Sequence, residues 1–339
     1  MPYVQGGCRM KFIKTVIIAA FLTIVPNLFL VLSLEAQCLD IPPTQRHLNV
    51  MTINLLFSEI RDREMRLREI ADFVIQKANS QDPIDLILLQ EVVGGEISRT
   101  VNTSLDLRKL LAQSSLNYGL SYRLAIDFLG LFSVGNAILS RYRIQYTLST
   151  SLPSVTEEIF EGLAVPVSRN AMMSRINIPG FGKINVYNVH LCAYCDPAER
   201  LEQALVLADF IEHTETFIRG ENPIILGGDF NTDLNISEDF PLYDLMTNSE
   251  ELGLTDTYAE FNSCKSCCEP EKSYYDGCTY AVPDNPYAVN PFTGQPDTAA
   301  RIDYIFRSQA LTTLQSCVIF NRDPNWVSDH SAVLTSVGY

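Results

Sequence analysis

Short polar segments interrupt or follow apolar runs at five places in this 339-residue chain. A polar side chain at the end of a buried strand costs free energy unless a partner or a ligand satisfies it. Five such segments in one chain predict a single shared site. The segments are Leu89-Gln90-Glu91, Asn188-Val189-His190-Leu191, Gly227-Gly228-Asp229-Phe230-Asn231, Arg301-Ile302-Asp303-Tyr304 and Ser328-Asp329-His330-Ser331.

The candidate site contains carboxylates, amides and imidazoles but no thiolate. Oxygen ligands of this kind suit Mg²⁺, with Mn²⁺ or Ca²⁺ as substitutes. A histidine near such an ion can transfer protons, and a carboxylate beside it fixes its tautomer. The set therefore suits metal-assisted hydrolysis of a phosphoester. The candidate residues are Asn54, Glu91, His190, Asp229, Asn231, Asp303, Asp329 and His330.

Each segment alone also has an ordinary structural explanation. His190 could be a satisfied core histidine, and Asp229 could belong to an Asx turn. Arg301 and Asp303 could form a structural salt bridge, and Asp329 could cap a helix. The joint occurrence of all the segments favours a functional site. A catalytically silent binding module is the alternative from a different class of protein.

The spacing of apolar residues predicts the elements that hold this site. Residues 63–79 have apolar positions at helical spacing, and a second helix over about 197–213 begins at Pro197. A helix is also predicted over residues 104–116. Short apolar runs predict strands, among them Asp85–Leu89, which ends at Gln90-Glu91, and residues 258–300 predict a long irregular insertion. Strands mixed with widely spaced helices predict an α/β sandwich, with two sheets packed face to face and helices outside. The polar segments would then converge on one edge of the sandwich.

The N-terminus has the pattern of an export signal. Arg9, Lys11 and Lys14 precede an apolar run from Val16 to Leu34, and Ala36 offers a cleavage position. We predict a signal peptide over residues 1–36, an N-terminal segment over 37–47 and a catalytic domain over 48–339, in a secreted protein. The alternative is an uncleaved membrane anchor, because the run is near the length that spans a bilayer.

Charge and cysteine content bear on the partner and the compartment. Without residues 1–36 the chain has 22 basic and 39 acidic residues, a net charge of −17. This balance makes nucleic acid a less favoured partner. The eight remaining cysteines suggest disulfides of open connectivity, with a zinc site at Cys264–Cys278 as the alternative.

Taken in chain order, these segments resemble the endonuclease/exonuclease/phosphatase superfamily of Mg²⁺-dependent phosphodiesterases. The resemblance covers roughly residues 48–338 and implies a four-layer α/β/β/α sandwich with two mixed sheets. The matching motifs are Asn54, Gln90-Glu91, Gly135-Asn136-Ala137-Ile138-Leu139-Ser140-Arg141, His190-Leu191, Gly228-Asp229-Phe230-Asn231, Arg301-Ile302-Asp303-Tyr304 and Ser328-Asp329-His330.

The resemblance also implies a role for each residue. Glu91 would be the principal metal ligand with Asn54 beside it, and Asp329 would ligate the metal or support a ligand. His330 would be the general base, oriented by Asp303. Further roles concern the water and the substrate: Asp229 and Asn231 would position the water and stabilise the transition state, His190 would hold or protonate phosphoryl and leaving-group oxygens, and Arg169 would contact phosphate.

Two further stretches resemble the neutral sphingomyelinase branch, namely Arg200–Thr214 and Cys278–Tyr287. This implies secreted, Mg²⁺-dependent hydrolysis of sphingomyelin to ceramide and phosphocholine, with a phospholipid at a membrane surface as the substrate. We infer no protein partner. The late aromatic hairpin of haemolytic bacterial members is not evident, and Phe128–Phe132 could contact lipid instead or be a buried connection. The enzymatic alternative is a secreted, metal-dependent endonuclease acting on DNA.

Overall fold

Two six-stranded β-sheets form the centre of this computed structural model. The structure describes residues 46–56, 62–160, 163–218, 222–272, 275–290 and 294–339, which all belong to one compact unit, Pro43–Tyr339. The predicted signal peptide lies outside the described residues and stays a prediction. Within the ranges described, no helix has both the length and the apolar character needed to cross a membrane.

Fourteen strands and five α-helices are assigned in the described residues. The strands are β1 (His47–Asn54), β2 (Leu86–Gly94), β3 (Gly119–Phe128), β4 (Phe132–Ser140), β5 (Arg143–Ser151), β6 (Val155–Phe160), β7 (Leu163–Val167), β8 (Asn170–Ile178), β9 (Gly182–His190), β10 (Ile224–Asp229), β11 (Thr255–Asp256), β12 (Asp303–Arg307), β13 (Thr312–Ile319) and β14 (Ala332–Gly338). The helices are α1 (Arg63–Asn79), α2 (Thr103–Gln113), α3 (Pro197–Ile218), α4 (Phe240–Thr247) and α5 (Thr257–Asn262).

Both large sheets are mixed. The first has the order β13-β14-β1-β2-β4-β3 and the second has the order β11-β12-β10-β9-β8-β5, while β6 and β7 form a separate pair. Strands β1 and β2 run parallel, as do β9 and β10, and the other pairs are antiparallel. Two mixed sheets with helices around them confirm the predicted α/β sandwich.

Alternation along each strand separates two apolar layers. In β9, Ile184 and Val186 pack between the sheets, whereas Tyr187 and Val189 pack under α3 and α4. The same alternation places Ile225 between the sheets and Leu226 under the helices. The two sheets approach closely at Gly227, where a Cβ atom would come within 2.7 Å of Leu88.

The main differences from the predicted elements concern β2, α3, α4, α5 and the β6–β7 pair. Strand β2 does not end at Glu91 but continues to Gly94, with a register shift between Leu89 and Val92. Helix α3 extends five residues beyond its predicted end, to Ile218. The β6–β7 pair and α4 were not predicted, because each is short. Helix α5 begins at Thr257 and ends at Asn262, where the sequence predicted the start of the irregular insertion.

Candidate active site

The ends of strands from both sheets bring the predicted polar residues together. Asp229 pairs with Asp303 across β10 and β12 and lies beside His190 of β9. In the other sheet, Asn54 of β1 lies beside Gln90 of β2. Alternation from the apolar inner positions directs these side chains into the space between the sheets. The site therefore forms where both sheets end at the same edge.

Asp229 lies at the centre of this group and is only 1 % exposed. Its Oδ2 accepts a hydrogen bond from Asn54 Nδ2 at 2.9 Å, which joins the two sheets. The same oxygen is 3.4 Å from His190 Nε2 and 3.7 Å from His330 Nε2. Its other oxygen accepts the backbone N–H of Asn231 at 3.0 Å. One carboxylate thus faces both imidazoles.

His330 and Asp303 form a buried pair. His330 Nδ1 lies 2.8 Å from Asp303 Oδ2, the distance of a charge-assisted hydrogen bond. The backbone N–H of Asp303 donates to Thr279 Oγ1 at 3.0 Å, so the irregular insertion fixes the start of β12. With Nδ1–H donated to Asp303, Nε2 of His330 is the nitrogen that faces Asp229. This is the arrangement of an oriented general base.

Burial and neighbouring charges separate the pKa values of these groups. Burial raises the pKa of Asp229 to about 7, with His330 opposing the shift and Asp303 adding to it. Burial acts against the charged form of His330, but Asp303, Asp229 and Asp329 outweigh it and raise the His330 pKa well above its ordinary value. Burial, Arg169 and His330 together lower the pKa of His190 well below its ordinary value. The two histidines are therefore set to opposite protonation states.

The oxygen-rich chemistry of the cluster fits a divalent cation. Ligand atoms of Asp229, Asp303 and His330 lie within 4.8 Å of one another. Asp303 Oδ1 is buried and has no hydrogen-bond partner in the described structure. A buried carboxylate oxygen without a partner favours positive charge nearby, and a cation held by adjacent residues would supply it.

The predicted metal ligands have different positions relative to this cluster. Asn54 contacts it directly through Asp229. Glu91 and Asp329 are outside the three-residue group, and both are half-buried. Glu91 has a φ of 53° at the register shift in β2, so its backbone departs from regular strand geometry at that residue. Burial raises the pKa of Asp329, which accepts a hydrogen bond from Ser328 Oγ at 3.0 Å.

Arg169 and Asn231 complete the predicted set. Arg169 Nη1 is 3.0 Å from Nδ1 and 3.2 Å from Nε2 of His190, so the guanidinium lies against the imidazole ring. Asn231 has a φ of 50°, and its Nδ2 donates to the carbonyl of Leu191 at 3.0 Å. Both side chains are half-buried and therefore accessible to a substrate.

Buried amides that link the two sheets had no predicted role. Gln90 Nε2 donates to Asn188 Oδ1 at 2.7 Å. Asn188 Nδ2 in turn donates to the carbonyls of Leu89 and Ala137, at 3.0 and 2.9 Å. Gln90 and Asn188 are fully buried, and each is one or two residues from a candidate site residue. Their signal in the sequence was a polar residue within an apolar strand, which does not reveal the partner.

The irregular insertion packs against the site. Tyr280 forms a β-bridge with His330, and their ring centroids are 4.9 Å apart. The insertion is cross-linked by the disulfides Cys264–Cys267 and Cys268–Cys278. These disulfides favour the cross-link interpretation over a zinc site.

Two further contacts define the surroundings of the site. A third disulfide, Cys192–Cys195, lies directly after the His190-Leu191 segment. Arg301 forms its salt bridge with Asp256 at 2.7 Å, which replaces the suggested pairing with Asp303. Asp303 is thereby left to His330.

Comparison with known proteins identifies the family of this arrangement. A model of the Endonuclease/Exonuclease/phosphatase family matches residues 51–330. The fold is similar to that of a family protein from Leptotrichia buccalis C-1013-b, with a TM-score of 0.60 and 20% identity over 86% of this chain and 100% of the other. A sequence comparison with curated proteins finds no match.

Two further structural neighbours have named activities or ligands. The mannosyl-6-phosphatase Bt3783 of Bacteroides thetaiotaomicron VPI-5482 has a TM-score of 0.54 at 20% identity over 86% of this chain and 100% of the other. The human Nocturnin catalytic domain with bound sulfate has a TM-score of 0.58 at 17% identity over 86% and 94%. At these identities the similarity shows the fold.

Proposed function

This chain belongs to the Endonuclease/Exonuclease/phosphatase family, whose members hydrolyse phosphoester bonds, and we propose that it is a divalent-metal-dependent phosphodiesterase. The observation that carries the proposal is the His330–Asp303 pair, which directs His330 Nε2 toward Asp229 in a buried cluster. A general base next to an oxygen-rich cation site is what attack of water on a phosphodiester requires.

The protein's own groups divide the work of hydrolysis. His330 accepts a proton at Nε2 from water, while Asp303 holds the ring through Nδ1. Asp229 and the neighbouring Asn231 orient that water. His190 and Arg169 provide hydrogen-bond donors and positive charge for phosphoryl and leaving-group oxygens.

The donor set also provides for the cation. Glu91, Asn54 and Asp329 would hold Mg²⁺, with Mn²⁺ or Ca²⁺ as substitutes. When bound, such an ion neutralises phosphoryl oxygens and offsets the carboxylate charge that otherwise keeps His330 protonated.

Sphingomyelin, cleaved to ceramide and phosphocholine, is the proposed substrate. The strongly acidic chain supports a substrate other than a polyanion. Tyr280, within one of the two stretches that resemble the sphingomyelinase branch, contacts the proposed base His330. Three disulfides among the described residues support action in an oxidising, extracellular compartment, in agreement with the proposed signal peptide.

A parallel assay tests both levels of the proposal. Purified protein with Mg²⁺ is offered sphingomyelin, phosphatidylcholine, plasmid DNA and p-nitrophenyl phosphate. We expect phosphocholine release from sphingomyelin that His330→Ala abolishes. His213→Ala is the matched control, because His213 is exposed on α3 and pairs only with Asp209 in the contacts described.

The outcomes separate the alternatives. Nicking of DNA without phosphocholine release would assign the chain to the nucleases of the family and reject the lipid substrate. Turnover of the monoester alone would reject phosphodiester hydrolysis. Binding without any turnover would leave the silent binding module.

A further inference from the structure

The turn between β3 and β4 carries apolar side chains into solvent. Leu129 is 95 % exposed, and Phe128 and Leu131 are each nearly half exposed. The loop between β2 and α2 adds Ile97 and Val101, which are 59 % and 80 % exposed. We call these five residues the apolar tip. Their exposure excludes a buried connection at Phe128–Phe132, and a contiguous apolar patch on a protein surface marks a contact site.

The backbone at the apolar tip holds Leu129 in a conformation that is strained for leucine. Leu129 has a φ of 55° and Gly130 a φ of 74°. Positive φ favours Gly or Asn, because Gly has no Cβ atom and the short polar side chain of Asn can hydrogen-bond to the local backbone, whereas a bulky apolar side chain adds strain. Leucine at this position therefore does not serve local stability, and a strained, fully exposed apolar residue indicates a function.

Three backbone N–H groups around the apolar tip donate hydrogen bonds within the protein. Leu131 N–H donates to the carbonyl of Phe128 at 3.0 Å, and Gly130 N–H donates to the Asp127 carboxylate at 2.8 Å. Ile97 N–H donates to the carbonyl of Leu131 at 2.9 Å, which braces the turn against the neighbouring loop. A segment that enters a bilayer must satisfy its backbone internally, because lipid offers no hydrogen bonds.

The apolar tip and the candidate active site lie at the same end of the first sheet. Glu91 and Gly94 are three positions apart in β2, which is about 10 Å of strand. Gly95 then packs against the tip so closely that a Cβ atom would come within 2.7 Å of the Leu131 carbonyl. A surface that receives the tip therefore lies within reach of the site.

The charges around the apolar tip bear on which kind of membrane surface it can contact. Exposed Glu96, Asp127 and Arg99 adjoin the tip with mixed sign, and the whole chain has a net charge of −15. An acidic protein is repelled by an anionic membrane, whereas a zwitterionic surface imposes no such penalty.

We propose that the apolar tip docks this protein on a zwitterionic phospholipid bilayer by inserting Phe128, Leu129 and Leu131 into the interface. The inference rests on the proposed phospholipid substrate, which is presented at such a surface. It adds the surface by which the protein reaches that substrate.

Leu129→Asn provides the sharpest test, because asparagine tolerates positive φ and relieves the strain while removing the apolar side chain. We expect binding to phosphatidylcholine/sphingomyelin vesicles to weaken about ten- to a hundredfold, as the loss of one buried leucine implies. The melting temperature does not fall, because the substitution relieves strain, and the turnover of soluble bis(p-nitrophenyl) phosphate stays unchanged. Phe217→Ser is the matched control, because Phe217 is 85 % exposed near the end of α3.

Each outcome either upholds or overturns the proposed docking surface. Equal vesicle binding by Leu129→Asn and the unmodified protein overturns the proposal, as does failure of the unmodified protein to bind zwitterionic vesicles. A dimer that Leu129→Asn dissociates would assign the tip to a second copy and also overturns it. Vesicle binding that Leu129→Asn weakens, without hydrolysis of sphingomyelin, upholds the docking surface while the proposed substrate fails.

Discussion

Replacing Asp303 by asparagine should reduce catalysis while leaving stability nearly unchanged. The substitution keeps the shape of the side chain but removes the charge that lies 2.8 Å from His330 Nδ1. A hydrogen bond to a charged group contributes about 1.5–3 kcal/mol, against about 0.5–1.5 kcal/mol for a neutral one. The loss of about 1–2 kcal/mol from the oriented base corresponds to roughly a five- to thirtyfold fall in kcat.

The size of the fall in kcat depends on the orientation of the new amide. The carboxylate of Asp229 lies within 4.8 Å and attracts the amide nitrogen, so the amide oxygen stays toward His330. With the opposite orientation the amide nitrogen would force the proton onto His330 Nε2. The base would then be lost, with a fall of about 10²–10⁴.

Stability changes little because opposing effects are removed together. Asp303→Asn loses the attraction to His330, but it also removes the repulsion with Asp229 and the cost of burying a charge. His330 keeps Asp229 and Asp329 as neighbours. Asp256→Asn is the matched control, since it leaves buried Arg301 without its carboxylate partner at 2.7 Å. That control should cost about 3–5 kcal/mol and lower Tm by roughly 10 °C.

Calorimetry in the presence of chelator measures the change in stability. Kinetics on soluble bis(p-nitrophenyl) phosphate measure the change in kcat. The reasoning is refuted if Asp303→Asn keeps kcat within about threefold of the unmodified protein, a difference too small for the loss of a charged hydrogen bond. An Asp256→Asn variant as stable as the unmodified protein would show that the expected difference in stability between the Asp303 and Asp256 substitutions is wrong.

Three further predictions have defined outcomes. Gln90→Met leaves Asn188 Oδ1 without its donor, so it should cost about 1–3 kcal/mol in urea unfolding and lower kcat at least tenfold at unchanged KM; equal kcat would contradict a role in positioning. Arg169→Ala should raise KM about tenfold by removing a cation beside His190, and Arg169→Lys should restore part of it; identical KM values would exclude a phosphate contact. Chelation should abolish turnover until Mg²⁺ is added, and Glu91→Gln should raise the half-saturating Mg²⁺ concentration about tenfold or more; turnover with chelator present would reject metal dependence.

The spacing of apolar residues predicted those elements whose bounds depend on the local sequence. Helix α1 spans Arg63–Asn79, as its apolar spacing predicted, because one face of that helix repeats every three to four residues. Strand β2 was predicted too short. Its continuation past Glu91 depends on pairing with β4 across a register shift, and no local pattern encodes that pairing.

The candidate site likewise combines residues that the sequence could select with contacts that only the fold sets. Residue type and position in apolar runs were enough to select Asn54, His190, Asp229, Asp303 and His330. The atoms that meet were not predictable, since the hydrogen bond from Asn54 to Asp229 joins residues 175 positions apart. The partner of Arg301 was likewise decided by the fold.

The sequence by itself determined the fold class, the family and the residue types of the site, because these depend on composition and order along one chain. Only the tertiary structure decided which side chains are buried together and which remain exposed. From the sequence, the apolar segment Phe128–Phe132 fits either a buried connection or a lipid contact, whereas in the structure Phe128, Leu129 and Leu131 are exposed. Burial is a property of neighbours, and the neighbours of a residue are set by the whole fold.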